Sequence, residues 1–192
     1  MRLLPKLISS YSELIEKNFV YVDKTKFIEL IEKRGLKVPL FLRPGRFGKT
    51  LFTDLLAQYY DLNSRDNFEK LFSKTYIGIN PTPQRNSFYI LRMDFSGIDQ
   101  KNLEENFFLS VKQSLVNFCL MYRNLNISID ENIHSSAALI GNFFSEFRAA
   151  RLHSSDRIFM IIDEYDNFAN GMVLLMPTRI NSRELIQLKV LS

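Results

Sequence analysis

Apolar residues recur along this chain with two different periods. At intervals of three and four they mark helices. Leu51, Phe52, Leu55, Leu56, Tyr59 and Tyr60 make one side of a helix over 49–61. Leu103, Phe107, Phe108, Val111, Leu115, Phe118 and Tyr122 mark a longer one, and Leu139, Ile140, Phe143, Phe144 and Phe147 a third over 135–150. Phe107, Val111, Leu115, Phe118, Leu139, Phe143 and Phe147 are expected to be buried, because their spacings lay one apolar stripe along each helix. Shorter helices are predicted at 10–17, where Leu14 and Ile15 are apolar, and at 68–72. Between them Thr25 is placed to N-cap a helix whose Phe27, Ile28, Leu30 and Ile31 pack inward and which Gly35 ends. Residues 80–87 hold Pro81 and Pro83 and read as a loop.

Short, mostly apolar runs mark strands. They cover 38–42, 88–94 and 157–162, and the five residues Ile158 to Ile162 read as a strand buried on both faces. The order strand, helix, strand, two helices, strand predicts an α/β fold, a parallel sheet with helices on both faces. No internal repeat is present.

Two strand ends carry chemistry. The run 38–42 opens into a loop with Pro44, Gly45, Arg46, Phe47 and Gly48, and then Lys49 and Thr50 enter a helix. A strand, a loop with inward backbone N–H groups and a helix N-terminus make a phosphate cradle. The lysine supplies charge for the outer phosphates and the hydroxyl a ligand for Mg²⁺. The fit to GxxxxGK[ST] is imperfect: Arg43 holds the first glycine position, and Gly45 is left to take the positive-φ turn. A plain strand–turn–helix connection is the other reading. At the end of strand 157–162 stand Asp163 and Glu164. Two carboxylates at that sheet edge suit nucleoside triphosphate chemistry, one holding the Mg²⁺ hydration shell and the other polarising the attacking water. An acidic strand exit or helix cap formed with Asp166 is the alternative. The pairing of the two motifs favours a nucleotide site over either motif alone.

Composition narrows the class. At 192 residues, with 46% hydrophobic content and no low-complexity run, the chain suits one folded domain. The single cysteine, Cys119, excludes an intrachain disulfide and fits a reducing cytoplasm. No run approaches membrane-spanning length, and Met1–Ser10 lacks a secretory h-region. A net charge of +4 with dispersed basic residues does not indicate nucleic-acid binding. His134 and His153 have no further ligand at metal spacing. Asp94, closing strand 88–94, either reaches a Mg²⁺ shell or caps the turn at Ser96-Gly97.

The segments YVDKTKFIELIEKRG, PLFLRPGRFGKTLFTDLLAQYYD, YILRMDFSGI and MIIDEYDNFAN occur in that order. This series resembles the bacterial AAA-ATPase-like family, whose members carry an R-P-R-[RG]-F-G-K-[ST] loop and an I-D-E-Y-D strand. They look like P-loop ATPases related to the AAA+ and STAND groups and often carry a PD-(D/E)xK nuclease-like domain. The resemblance implies ATP and Mg²⁺ as ligands. It implies that Lys49 contacts the β- and γ-phosphates, that Thr50 and Asp163 serve Mg²⁺, and that Glu164 is the general base. Backbone amides from Gly45 through Thr50, including Arg46, Phe47 and Gly48, would cradle the phosphates. Arg46 would either neutralise phosphate charge or pair with Asp163 or Glu164 in the empty site. Asp23 and Lys24 are either a tight turn beside the nucleotide base or solvated turn residues.

By motif, the resemblance runs from about residue 5 to 170. A helical segment over 1–36, an ATPase-like core over 37–170 and a divergent tail over 171–192 are expected. The tail is too short for the further strands, sensor and lid of the class, so the P-loop NTPase-like fold is expected to be incomplete at the C-terminus. An ATP-binding domain is then the first expectation, with Mg²⁺-dependent hydrolysis in question. A truncated remnant or protein-interaction module is the second. An open sheet edge predicts self-association or a protein partner that completes the fold.

Overall fold

The computed structural model describes residues 8–35, 38–41, 48–97, 102–151 and 153–164. Among the described residues the elements are α1 Tyr11–Glu16, α2 Lys26–Lys33, α3 Lys49–Tyr60, α4 Phe68–Phe72, α5 Tyr76–Ile79, β1 Tyr89–Asp94, α6 Leu103–Met121, α7 Ser136–Ala150 and β2 Ile158–Asp163. Short 3₁₀ turns occupy Leu62–Asn67 and Arg123–Leu125. The chain divides into two compact units, Met1–Ile90 with Asp156–Phe159, and Leu91–Ser155 with Met160–Ser192. The division falls inside both strands.

The first unit is built around α3. Leu55, Leu56, Tyr59 and Tyr60 on its predicted face are buried, while Leu51 and Phe52 are half-buried. Tyr11 and Tyr59 pack on Phe72 with ring centroids 5.2 and 5.6 Å apart. Polar groups fix these contacts. Asp54, itself buried in α3, accepts the Tyr11 N–H at 2.7 Å and so holds the start of α1. The Tyr11 hydroxyl donates to the Leu71 carbonyl at 3.0 Å. Tyr60 and Thr82 both donate to the same oxygen of Glu32, at 2.9 and 2.8 Å.

The turn before α2 departs from expectation. Thr25 is fully buried but makes no side-chain cap on α2. Its hydroxyl donates to Asp23 Oδ1 at 2.7 Å and accepts the Ile77 N–H at 3.1 Å. Asp23 Oδ2 accepts the Tyr76 N–H at 2.7 Å. A long-range partner therefore takes the hydroxyl that a local cap needs. Asp23 is thus a structural carboxylate that ties the turn to the start of α5. Along α2, Ile28 is buried, whereas Phe27 and Leu30 are exposed, and Gly35 ends the helix with φ +60° as its lack of Cβ allows.

In the second unit α6 and α7 pack through phenylalanine rings. Phe118 meets Phe143 edge-on at 5.0 Å and Phe147 at 6.1 Å. Six of the seven expected anchors are buried; Phe107 is half-buried and lies 5.2 Å from the Phe95 ring.

The strands β1 and β2 form a two-stranded sheet. The Tyr89 N–H donates to the Arg157 carbonyl at 2.9 Å and the Phe95 N–H to the Asp163 carbonyl at 3.2 Å, so the numbering rises together and the pair is parallel. Two sheet expectations fail. Residues 38–41 form no strand, and Val38 and Leu40 are exposed, because this apolar run finds no ladder partner among the described residues. Leu42 lies outside them. On β2, Ile161 is buried but Met160 and Ile162 are 40% and 46% exposed. Alternate residues of a strand point to opposite faces, and the face bearing Met160 and Ile162 is open to solvent. The α/β class stands, with a two-stranded parallel sheet among the described residues.

Candidate functional site

Helix α3 begins at Lys49, as the glycine–lysine–threonine run predicts. Gly48, its N-cap, has φ +76° and ψ 28°, a left-handed conformation that favours glycine. A glycine cap offers no side chain to the N–H groups of the first turn, and no acidic residue occupies that turn. Lys49 is half-buried and Thr50 exposed. Gly45, Arg46 and Phe47 lie outside the described residues, and so does the expected pairing of Arg46 with the carboxylates.

A cavity opens at this end of α3. Gly48 and Lys49 line it on one side and Lys24 on another. The remaining walls are Phe27, Phe41, Phe52 and Thr53. Phe52 lies 5.1 Å from the Phe41 ring at 67° and 6.4 Å from the Phe27 ring at 86°. Phe27 is therefore exposed because it faces a cavity instead of the core. The Thr53 hydroxyl donates to the Thr50 carbonyl at 2.9 Å. Lys24 follows directly on Asp23, so the bonds from Thr25 and Tyr76 to that carboxylate also fix the backbone that carries Lys24.

Sequence alone does not place these rings at the site. A helical period assigns an apolar side chain to the core by default. The available signal is register: Phe52 and Thr53 follow Lys49 by three and four residues, which puts them on its side of the helix.

The acidic pair belongs to the second unit. Strand β2 runs to Asp163, whose carbonyl takes the Phe95 N–H. Glu164 follows with φ +53°, and its N–H donates to Asp163 Oδ1 at 3.0 Å. Both side chains are part-buried. A non-glycine residue in this region is uncommon and costs about 1 kcal/mol or more. Asp94, at the end of β1, accepts the Ser96 N–H at 2.9 Å and so caps the turn at Ser96-Gly97. Tyr165 and Asp166 lie outside the described residues.

No group of three or more His, Cys, Asp or Glu suited to a metal ion is found among the described residues. A Mg²⁺ held with a nucleotide asks less of the protein, one or two carboxylates or hydroxyls beside phosphate oxygens and water. The oxygens of Thr50 and Asp163 are of that kind. Among the described residues no helix is long and apolar enough to cross a membrane.

Neither a curated protein nor a solved structure matches the chain. Residues 5–187 match the AAA-ATPase_like family, described as Predicted AAA-ATPase. The match takes in the GKT loop, both strands and the acidic pair. It also continues past Asn170, where the motif resemblance ends, so the segment expected to diverge falls within the family over most of its length. By the extent of that match the chain belongs to the AAA-ATPase-like family.

Proposed function

We propose that the chain binds ATP with Mg²⁺ and holds the phosphates at the N-terminal end of α3. The composition of that end carries the proposal: a left-handed glycine cap, a lysine in first position and no acid in the first turn. A helix N-terminus bears roughly half a positive charge and favours an anion at that end. The first-turn N–H groups then donate to phosphate oxygens. Lys49 meets the β- and γ-phosphates, and amides from Gly45, Arg46 and Phe47 extend the cradle. Thr50 and Asp163 supply hard oxygen ligands suited to Mg²⁺. The ion, when bound, neutralises charge on the phosphates.

Hydrolysis falls to Glu164 as general base, accepting a proton from the attacking water. Its positive φ supports this role, since strained backbone persists where the surroundings hold a side chain in place. Calorimetric titration with ATP–Mg²⁺, beside Lys49→Ala, tests binding; a wild-type chain that releases no heat of binding rejects the proposal. In Glu164→Gln, binding should persist while steady-state turnover is lost.

A further inference from the structure

We infer that α6 carries a seam for self-association, through which two copies of the chain pair with these helices antiparallel. Helix α6 is apolar on two opposite sides. Val111, Leu115 and Phe118 are buried, and Phe118 meets α7. Leu109 lies two and a half turns from Phe118, and Leu120 the same from Val111, so both project from the other side. Leu109 is 51% exposed and Leu120 55%. With exposed Gln113 and half-buried Val116 they follow one another at intervals of four, three and four residues. That spacing keeps them on one line, the line along which two helices pack in a coiled coil. A helix face turned to solvent ordinarily carries charges opposite its core stripe. Among the 19 residues of α6 only Glu104, Glu105 and Lys112 are charged, and Lys112 pairs with Glu131. The outer face therefore holds leucines where solvent calls for ionised groups.

Charge placement selects the partner. Glu104 and Glu105 stand in the first turn of α6 and Arg123 just past its last, all three exposed. An antiparallel second copy, with its Leu120 against Leu109, brings Arg123 of each chain beside Glu105 of the other. Two-fold symmetry repeats both contacts at the two ends of the seam. A parallel copy sets glutamate against glutamate and arginine against arginine, which is repulsive. In the antiparallel register Gln113 of each copy meets Val116 of the other, close to the symmetry axis. A polar residue at one seam position fixes register at some cost in stability. A membrane surface fits less well, because helices that lie on lipid carry Lys and Arg beside their apolar face. Here glutamates flank the seam at its N-terminal end. With three apolar residues from each copy the dimer is weak, since association must first offset the lost freedom of two bodies.

Sedimentation velocity of the full chain, from low to high micromolar concentration, tests the seam. Wild type should pass from monomer to dimer as concentration rises. Leu120→Glu puts a charge into both symmetric contacts and should leave a monomer throughout. Its far-ultraviolet circular dichroism should match wild type, because the position is exposed. Glu105→Arg and Arg123→Glu, made singly, should each weaken the dimer roughly two- to thirtyfold, the span for two exposed ion pairs lost together. Combined in one chain they exchange the signs and should restore it. A wild type that stays monomeric at every concentration overturns the dimer and leaves the seam to another partner. A dimer that survives Leu120→Glu forms elsewhere on the molecule and overturns the seam. Single reversals without effect, or a double reversal that fails to recover the dimer, overturn the antiparallel arrangement.

Discussion

Helices α3 and α7 treat their N-terminal ends in opposite ways. Ser135 caps α7 by accepting the Ala138 N–H, so the donors there are partly served by the chain itself. The start of α3 has glycine, lysine and no acid. The other described helices side with α7: Ser10 and Thr75 cap α1 and α5, while α2, α4 and α6 carry acids in their first turns. Sequences that satisfy a helix end are inexpensive to find and this chain uses them repeatedly. A glycine cap with a lysine in first position suits instead an end where an anion is to be received.

The contrast can be broken at either helix. Its largest expected effect is on binding. Lys49→Ala removes a charge-assisted contact to phosphate, worth about 1.5–3 kcal/mol, so ATP affinity measured by calorimetry should fall roughly ten- to hundredfold. If affinity holds, the open end of α3 serves something other than phosphate. Ser135→Ala comes next: loss of the cap on α7 should lower the free energy of unfolding in urea by about 1 kcal/mol. A sharper test supplies α3 with what the other helices have. Thr50→Glu places an acid in the first turn at an exposed position, and should stabilise the fold by about 0.3–1 kcal/mol while abolishing nucleotide binding. A variant that gains neither stability nor a binding defect would sink the idea of a helix end kept open for an anion.

The smallest effect is on pH. In α2 the first-turn Glu29 is bonded by Lys33 and then by Tyr76, and these contacts hold its carboxyl below the usual range. A lowered folded value means the stabilisation is present above about pH 4.5 and fades as pH falls through the folded value. Acid titration of Glu29→Gln should therefore lack a small downward step in melting temperature that wild type shows below about pH 4.5.

Long helices were legible in the sequence because their evidence is redundant. Val111, Leu115 and Phe118, like Leu139, Phe143 and Phe147, repeat one signal over several turns, and all six are buried. The start of α3 was legible for a different reason: glycine before lysine and threonine marks a cap and a change of conformation. Shorter features were hidden. Helix α5 and the 3₁₀ turn at Leu62–Asn67 are too brief for a period to show. Thr25 has the residue type of a cap, yet its hydroxyl serves Asp23 and Ile77, a partner that no local window contains. Apolar character alone misplaced Val38 and Leu40, since a strand also needs a neighbour. The same default put Phe27 in the core, when what it lines is a cavity.

The tyrosines of the first unit give the molecule an optical gauge of its own. The chain has eight tyrosines and no tryptophan, so its near-ultraviolet absorption is dominated by phenol rings. Burial raises the Tyr11, Tyr59 and Tyr60 hydroxyls above their ordinary range and pushes Tyr21 up to about 12. All four lie in the unit containing α3. Their contribution to stability is complete below about pH 10 and is lost as pH rises through the folded values. In an alkaline titration these four phenols should ionise late, and a variant loosened around α3 and Phe72 should move that late part of the phenolate absorbance to lower pH, without any attached dye.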